Sequence, residues 1–405
     1  MKRVIEINVA SNRGSTGRIA ENIGLTMRAS GWECYIAHGS RYCGTSELND
    51  IPIGNKRFEY VHYIKSYLFD AQGLGSKVAT REFVKTIDLI KPDIIHLQNI
   101  HGYYINYSFL FSYLEESRLP VVWTLHDCWP FTGHCVYFDA VGCEKWRTHC
   151  ENCPQRKTYP QSIIDRSYIN FEKKKKIFCS LDNLTIVPVS DWLSGLVSNS
   201  FLSEFPRHVI HNGIDLSVFH PGNDSLKSKL GFQNKKLVLG VADGFGQRKG
   251  LDDFVALNKI ISPEYQIVLI GASKSEIEKL PKDIVAIPRT DSQSQLAEYY
   301  SAADAYVNPT YEDNFPTTNI EALACGTPVI TYRTGGSPEA VSPETGIVVE
   351  QGDVAGMAEA IREICKNKDF YTVACRKRAE EHFDKDKCFE KYVELYERIA
   401  QRLLY

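Results

Sequence analysis

The stretch YEDNFPTTNIEALACGTPV, Tyr311–Val329, carries the pattern that decides the fold. An apolar run that ends at Asn308 leads into an acidic loop, and an apolar helical pattern follows until Gly326-Thr327-Pro328 stops it. Asp313 in the loop and Glu321 in the first turn of this predicted helix could flank one polar ligand. Carboxylates accept hydrogen bonds from sugar and ribose hydroxyls, and N–H groups at a helix start favour phosphate. This order of strand, ligand loop and helix predicts one unit of a parallel sheet with a binding site at the carboxyl end of its strand.

The same alternation of strand and helix patterns runs through both halves of the chain. The predicted strands are Arg3–Val9, Cys34–Ala37, Asp93–Leu97, Val121–Leu125, Leu184–Val189, Leu237–Ala242, Gln266–Ile270, Ala305–Asn308, Val329–Thr331 and Gly346–Val349. The predicted helices include Gly17–Ser30, Leu251–Ile260, Gln293–Ser301, Asn319–Ala324 and Val354–Cys365. Strands separated by helices favour parallel sheets. The sequence therefore predicts an α/β protein with two doubly wound, Rossmann-like domains that face a central cleft.

Turn residues place the boundary between the two domains. The segment Phe205–Asp224 is rich in Gly, Pro and Asn and has no helical periodicity. We expect a first domain over residues 1–205, which binds the acceptor of a transfer reaction, and a second domain over 206–385. The amphipathic pattern Asp386–Leu404 follows an already complete sheet, so residues 386–405 could pack back on the first domain.

Composition excludes several classes of partner. The 405 residues carry a formal net charge of -3, which gives no general field for nucleic acid or for an anionic membrane. No apolar run approaches the roughly 18 residues that span a bilayer, and the start of the chain has no signal-peptide pattern. We expect a cytoplasmic protein, with peripheral contact at the inner face of the membrane left open. The run Lys173–Lys176 is the candidate for that contact, although a solvated helix face explains it better.

Three loops after predicted strands carry residues suited to bind a phosphorylated ligand. Gly14 and Gly17 follow the first strand, where glycines let backbone N–H groups approach an anion, although an ordinary turn has the same pattern. His126 lies at the end of a buried strand, where a ligand role and a structural role are equally plausible. Arg248 and Lys249 stand between glycines ahead of a helix and suit a diphosphate, while a solvated basic turn is the alternative.

Four of the twelve cysteines cluster within one segment, at Cys135, Cys143, Cys150 and Cys153. Four thiolates that include a C-x-x-C pair can build a tetrahedral structural zinc site, and a reducing compartment favours metal over disulfides. Packing thiols and a redox role remain the alternatives. If zinc binds, we expect it to shape this segment without a part in the chemistry, and no cofactor is expected for catalysis.

The ordered motifs resemble those of family 4 of the retaining glycosyltransferases, and most closely its bacterial colanic-acid, capsule and O-antigen members. The resemblance covers nearly the whole chain. Its motifs are GSTGRIAENI at the start, TLHDCW in the middle, HNGID near the predicted join, RKG, the Tyr311–Val329 stretch with the family's E-x7-E spacing, and Thr334–Glu339. The resemblance implies the GT-B fold and transfer of a sugar from a UDP- or GDP-sugar to a saccharide acceptor on polyprenyl diphosphate.

The resemblance also implies roles for individual residues. His126 matches the reaction-centre histidine, Lys249 the lysine that binds the donor diphosphate, and Glu321 the glutamate that holds the donor ribose. Asp313 matches the acid near the donor sugar, and with His126 and Lys249 it completes the expected catalytic set. The remaining residues expected to bind the donor are Gly14, Gly17, Arg248, Asn314, Phe315, Pro316, Thr317 and Thr318.

Two positions depart from the family pattern. Asp313 stands where a glutamate is usual, although the adjacent Glu312 could substitute, and Asp243 stands where the family has an arginine, whose charge Arg248 could supply. The resemblance implies retention of configuration with the donor phosphate assisting proton removal. A non-catalytic carbohydrate-binding or scaffold protein on the same fold is the alternative. An NAD-dependent oxidoreductase would require a GxGxxG loop that neither half shows convincingly.

Overall fold

The computed structural model describes residues 1–222 and 225–402, which form two six-stranded sheets with helices between the strands. The strands are β1 Arg3–Ser11, β2 Glu33–Cys43, β3 Asn49–Pro52, β4 Ile94–Leu97, β5 Val121–Leu125, β6 Leu184–Pro188, β7 Lys236–Val241, β8 Tyr265–Ile270, β9 Val285–Ile287, β10 Ala305–Asn308, β11 Val329–Tyr332 and β12 Gly346–Val349. The helices are α1 Gly14–Ala29, α2 Lys56–Phe69, α3 Lys77–Ile90, α4 Tyr107–Ser117, α5 Ser167–Phe178, α6 Asp191–Val197, α7 Ser225–Lys229, α8 Leu251–Ile260, α9 Lys274–Ile277, α10 Gln293–Ala302, α11 Thr317–Ala324, α12 Val354–Lys366, α13 Lys368–His382 and α14 Lys385–Arg402.

Both sheets have the same parallel topology. The first sheet has the order β3-β2-β1-β4-β5-β6, and the second has the order β12-β11-β10-β7-β8-β9. Read in chain order within each sheet, both arrangements are the 3-2-1-4-5-6 order of a doubly wound nucleotide-binding fold. The strand order reverses between β1 and β4 in the first sheet and between β7 and β10 in the second. Crevices for ligands form at such switch points, beyond the carboxyl ends of the strands. The predicted fold class of two doubly wound domains is confirmed.

The chain divides into two compact units. One unit comprises Met1–His211 and Cys388–Tyr405, and the other comprises Asn212–Lys387. The sequence prediction placed the join within Phe205–Asp224, of which Asn223 and Asp224 lie outside the described residues. The predicted helix end at Leu404 also lies outside them.

The C-terminal helix α14 supplies part of the core of the first unit. Phe389, Tyr392, Leu395 and Tyr396 are at most 2% exposed and pack in one apolar cluster with residues of β1, α1 and β2. Tyr396 also places its hydroxyl 2.5 Å from Nδ1 of His96 on β4. The amphipathic pattern of this helix therefore reflects burial against the sheet of the first unit.

Several elements differ from the sequence prediction. Helix α11 begins at Thr317, so Glu321 lies in its second turn and not in its first. Helix α1 begins at Gly14 and not at the predicted Gly17, so Gly14 also belongs to the helix. The strands β3 and β9 were not predicted, because both are short and neither alternates apolar and polar residues. β3 is mostly exposed, and β9 is half-buried throughout.

Candidate active site

The two loops at the switch point of the second unit bring Lys249 and Asp313 together. Lys249 lies in the loop after β7 and Asp313 lies in the loop after β10, and these two strands are neighbours in the sheet. The Lys249 ammonium forms an ion pair with the Asp313 carboxylate, and both side chains are about 15% exposed. A cation that is nearly buried and still open to the crevice is suited to bind an anionic ligand.

Backbone contacts hold these two loops in register. The Tyr311 N–H donates to the Arg248 carbonyl at 2.8 Å, and the Arg248 guanidinium donates to the Glu312 carbonyl at 3.0 Å. Gly250 has a φ of +67°, and a Cβ at this position would lie 2.3 Å from the Pro309 carbonyl oxygen. Only glycine therefore allows the basic loop to approach the loop after β10 so closely.

Glu321 projects from α11 beside a buried tyrosine. The Tyr300 hydroxyl donates to a Glu321 carboxylate oxygen at 3.0 Å, and Glu321 is 9% exposed. Burial and the neighbouring carboxylate raise the pKa of Tyr300 well above its usual range, so the phenol remains a donor at neutral pH. This contact orients the carboxylate, and carboxylate oxygens can accept hydrogen bonds from hydroxyl groups.

The residues between Asp313 and Glu321 separate into buried and accessible groups. Asn314, Phe315 and Pro316 are buried, and the Phe315 ring packs against Phe383 with centroids 5.9 Å apart. Thr317 and Thr318 are half-buried and form the first turn of α11. Of the predicted donor contacts in this stretch, the two threonines are accessible, and the three buried residues shape the loop.

The two departures from the family pattern have different surroundings. Asp243 is exposed, whereas the Arg248 guanidinium lies against the backbone of the acidic loop. Glu312 is buried, and the partner of Lys249 is Asp313. The shorter acid therefore occupies the position beside the lysine.

The two glycines in the first turn of α1 lie in different environments. Gly14 is exposed at a φ of +68°, and a Cβ there would meet no atom within 4 Å. Gly17 is buried, and a Cβ there would lie 3.1 Å from the Ala10 Cβ. Gly14 is thus open to a ligand, while the small size of Gly17 serves close packing of α1 on β1.

His126 follows β5 and is held by a buried chain of hydrogen bonds in the first unit. Its Nε2 lies 3.0 Å from Gln98 Oε1, and the Gln98 amide donates to Glu6 at 2.6 Å. Because the Gln98 amide nitrogen is committed to Glu6, its oxygen accepts from His126, and the proton resides on Nε2. Burial lowers the pKa of His126 to about 4, so the ring is neutral at physiological pH.

A second histidine, which the sequence analysis missed, lies nearby. His101 Nε2 is 2.7 Å from Asp127 Oδ2, and His101 Nδ1 is 3.2 Å from the Tyr159 hydroxyl. Burial alone would raise the pKa of Asp127, but the His101 ring and the Trp129 N–H outweigh it and lower the pKa. His101 follows β4 as His126 follows β5, so the strand-end argument applied to β4 would have identified it.

The four predicted cysteines lie in the irregular segment between β5 and α5. Cys135, Cys143, Cys150 and Cys153 line one pocket together with His134 and Trp146.

The lysine run on α5 is not a uniformly solvated face. Lys174 is 2% exposed, and its ammonium donates to the carbonyls of Trp129 and Thr132 at 2.7 and 3.0 Å.

Comparisons with known proteins identify the family. Residues 16–218 match the model of Glycosyltransferase Family 4, and residues 223–382 match the model of Glycosyl transferases group 1. The chain therefore belongs to glycosyltransferase family 4, and the enzyme is a glycosyltransferase. Its relatives include a putative colanic acid biosynthesis glycosyl transferase, WcaC of Escherichia coli K12, which is 25% identical over 76% of this chain and 77% of that protein. The capsular polysaccharide biosynthesis glycosyltransferase CapM of Staphylococcus aureus is 27% identical over 55% of this chain and 63% of that protein.

Solved structures show the same fold at low sequence identity. Sucrose-phosphate synthase from Thermosynechococcus elongatus superposes with a TM-score of 0.72 at 19% identity, over 99% of this chain and 100% of that chain. HepE of Anabaena in complex with UDP and glucose superposes with a TM-score of 0.70 at 13% identity, over 98% and 100% of the two chains. The GT-B fold prediction is confirmed.

Proposed function

We propose that this enzyme transfers a sugar from a nucleotide-diphosphate donor, with retention of configuration, to a saccharide acceptor on a polyprenyl diphosphate in bacterial surface polysaccharide synthesis. The observation that carries the donor part is the meeting of Lys249 and Asp313 at the switch point of the second unit, with Glu321 on the helix that follows the Asp313 loop. A diphosphate would compete with Asp313 for Lys249, and Glu321 would accept hydrogen bonds from the ribose hydroxyls. The UDP and glucose in the HepE complex support a nucleotide sugar as the class of donor.

The reaction breaks the bond between the anomeric carbon and the diphosphate oxygen while the acceptor hydroxyl oxygen forms the new bond. The leaving phosphate takes the hydroxyl proton, so no protein base is assigned. Lys249 and Arg248 would stabilise the charge that develops on the diphosphate, and the N–H groups near Gly14 would add to this effect. Asp313 and the neutral His126 would contact the donor sugar at the reaction centre. Fixed cations and N–H dipoles would perform this step without a metal cofactor.

The acceptor part of the proposal is supported by a helix of the first unit whose buried face is polar and whose exposed face is apolar. Helix α2 buries polar residues, Glu59, His62 and Ser66, and exposes large apolar ones. The exposed apolar side chains on it are Phe58, Tyr60, Val61, Tyr63, Ile64, Leu68 and Phe69. Exposed apolar faces of this kind mark sites of membrane or protein interaction.

Two further features favour an anionic membrane as the occupant of this face. The helix also exposes the basic residues Lys56, Arg57 and Lys65, which suit acidic headgroups. Exposed Ile163 and Ile164 extend the apolar face, since the Ile163 N–H donates to the Tyr67 carbonyl at 2.8 Å. Among residues 1–222 and 225–402, no helix is long and apolar enough to cross a bilayer. Contact through α2 would place the acceptor domain at the surface that holds a lipid-linked acceptor.

A panel of nucleotide sugars tests the donor proposal. We expect one UDP- or GDP-sugar to raise the melting temperature and to be slowly hydrolysed, while NAD does neither. Glu321→Ala should weaken donor binding, and His126→Ala should mainly lower turnover. The exposed Glu350 and His149 supply the matched controls Glu350→Ala and His149→Ala. Stabilisation by NAD alone would contradict the proposal, and binding without any turnover on lipid-linked saccharides would favour a carbohydrate-binding protein.

Flotation with vesicles that contain phosphatidylglycerol tests the membrane contact. We expect the wild-type protein to float with these vesicles and the double variant Val61→Glu, Ile64→Glu to remain in solution. Leu89→Glu is the control, because Leu89 is 82% exposed on α3 and outside this face. Equal flotation of the double variant, or a change in its oligomeric state in place of lost flotation, would overturn the assignment of a membrane to α2.

A further inference from the structure

The cysteine-rich segment between β5 and α5 contains a pocket that the proposed transfer reaction does not use. Cys135 and Cys150 are at most 9% exposed, and both line this pocket with Cys153. The Cys135 and Cys153 thiols are neighbours, and the Gly133 N–H donates to Cys150 Sγ at 3.2 Å. Backbone N–H groups directed at sulfur stabilise a thiolate, which is the form of cysteine that binds metal.

His134 gives independent evidence for a ligand in the same pocket. Its Nδ1 lies 2.6 Å from Asp70 Oδ1, and both side chains are almost completely buried. The opposite ring nitrogen, Nε2, is buried without a hydrogen-bond partner, although the ring lines the pocket of the cysteines. A histidine that donates from Nδ1 to a carboxylate presents an Nε2 lone pair, and this arrangement is typical of histidines bound to zinc.

Asp70 is itself fixed in place, which holds the histidine ring in one orientation. Its second carboxylate oxygen accepts from the Arg166 N–H at 2.9 Å, and its carbonyl accepts from Asn170 at 2.7 Å. The carboxylate at the end of α2 thus holds the histidine that lines the pocket with the cysteines, and the start of α5 holds the carboxylate. Burial of a lone imidazole nitrogen among thiols is costly unless a further group pairs with it.

We propose that Cys135, Cys150, Cys153 and His134 bind one structural zinc ion, with Asp70 orienting the histidine. This set replaces Cys143, one of the four cysteines expected from the sequence, with His134, which is buried with a lone nitrogen. Cys143 and Cys153 are both half-buried, but Cys153 is the neighbour of Cys135. As the side chains stand, no three of the atoms Cys135 Sγ, Cys150 Sγ, Cys153 Sγ and His134 Nε2 lie within 4.8 Å of one another. Tetrahedral zinc would draw the sulfur atoms to about 3.8 Å apart through side-chain rotation.

The position of the ion gives it a structural task. The segment that it would close begins directly after Asp127 and includes Tyr159, and both residues contact His101. Zinc would therefore fix the loop that surrounds His101. Loss of the metal is expected to loosen this part of the first unit and to leave the donor loops of the second unit unchanged.

Metal analysis of the full chain, purified without chelator, tests the proposal first. We expect close to one equivalent of zinc in the wild-type protein. A value under about 0.2 equivalents would overturn the proposal, as would a loss of free thiols that reveals a disulfide. The double variant Cys43→Ser, Cys179→Ser is the matched control, because both thiols are exposed and lie outside the pocket. It should retain the metal.

Variants and X-ray absorption then identify the ligands. His134→Ala should abolish stoichiometric zinc, and Asp70→Asn should weaken zinc binding by roughly 10–100-fold in competition with a chelator. X-ray absorption is measured on the wild-type protein, so this test stays informative even if a variant fails to fold. The spectrum should show three sulfur atoms at about 2.3 Å and one nitrogen at about 2.0–2.1 Å. Four sulfur atoms, together with zinc loss in Cys143→Ser but not in His134→Ala, would overturn the assignment of His134.

Discussion

The Gln98 side chain hydrogen-bonds to Glu6 and His126, two buried groups whose pKa values are shifted in opposite directions. Its amide nitrogen donates to Glu6, and its oxygen accepts from the neutral His126 ring. Burial raises the pKa of Glu6 well above its usual range and lowers that of His126 to about 4. The side chain between them thereby fixes which nitrogen of His126 carries the proton.

The variant Gln98→Leu should impair turnover more than donor binding. Removing the acceptor deprives the buried His126 ring of its hydrogen bond to Gln98, which costs roughly 1–3 kcal/mol and favours a different ring orientation. We expect kcat to fall at least about tenfold while the KM for the donor stays within about twofold. Steady-state kinetics with the exposed-site control Gln233→Leu measure this. An unchanged kcat would show that the hydrogen bond does not orient the catalytic ring.

His62 should make the first unit sensitive to acid. Burial lowers its pKa from 6.5 to about 4, because the loss of solvent disfavours the charged ring, whose Nε2 accepts from the Gly75 N–H. As the pH falls below 6.5, the unfolded chain takes up this proton before the folded chain does. The free energy of unfolding therefore decreases between pH 6.5 and 4, by at most about 1.4 kcal/mol per pH unit from this residue.

Denaturant unfolding of His62→Gln between pH 7.5 and 5 tests this effect. Glutamine can accept and donate as the neutral ring does, but it does not titrate. We expect wild-type protein to lose more stability than the variant as the pH is lowered. Parallel curves for the two proteins would show that His62 is not the group responsible.

Site residues at strand ends could be predicted from the sequence, whereas site residues in the middle of strands could not. His126 was identified because it follows a buried apolar run, and His101 follows the neighbouring strand in the same way. Glu6 lies in the middle of β1, where its carboxylate indicates an exposed side of the strand. Its burial depends on the Gln98 amide, 92 positions away, and on no local pattern.

At the scale of elements, the loop between β7 and α8 depends on one glycine for its position. Gly250→Ala would place a Cβ 2.3 Å from the Pro309 carbonyl oxygen at a positive φ, so Lys249 would move away from Asp313. We expect weaker donor binding and a loss of at least about 2 kcal/mol in stability.

Gly246→Ala is the matched control for this substitution. Gly246 also has a positive φ, of +51°, but a Cβ there would meet no atom within 4 Å. Gly246→Ala should lower the stability only by the backbone strain of about 1–2 kcal/mol and should leave donor binding intact. Titration calorimetry with the donor separates the two variants, and equal affinities would contradict the proposed role of loop position.

Helix α2 shows why a sequence pattern alone does not establish which face of a helix is buried. Its apolar residues would ordinarily indicate the buried face of a helix. In the structure the buried face is formed by Glu59, His62 and Ser66, because Glu59 accepts backbone N–H groups of β2 and His62 binds the loop before α3. These partners lie in other elements, so periodicity alone could not identify the exposed side.

At the scale of the whole molecule, the fold was predictable because ten of the twelve strands in the described residues carry their own local signal, all but β3 and β9. The division of the chain was harder to predict, since it depends on where one helix packs. Within α14, residues from Cys388 onward belong to the first unit, whereas Lys385 pairs with Asp215 of the second.

The variant Phe389→Ala should destabilise the first unit specifically. Phe389 is 1% exposed within the cluster that α14 completes, and truncation of such a buried ring costs about 3–5 kcal/mol. We expect the unfolding transition of the first unit to move to lower temperature while that of the second unit is unchanged. Phe370→Ala is the control, because Phe370 is 63% exposed on α13. Calorimetry resolves the two transitions, and an equal shift in both would contradict the assignment.

The return of α14 to the first unit has a consequence for the order in which the protein matures on the ribosome. Residues 1–211 emerge first, but the aromatic strip from Phe389 to Tyr396 that closes their core is translated only after the entire second unit. The second unit can therefore complete its core before the final helix of the first unit has been synthesised. The nascent first sheet must remain protected through the synthesis of about 176 intervening residues. Within this chain, the first unit is thus translated before the second unit but completed after it.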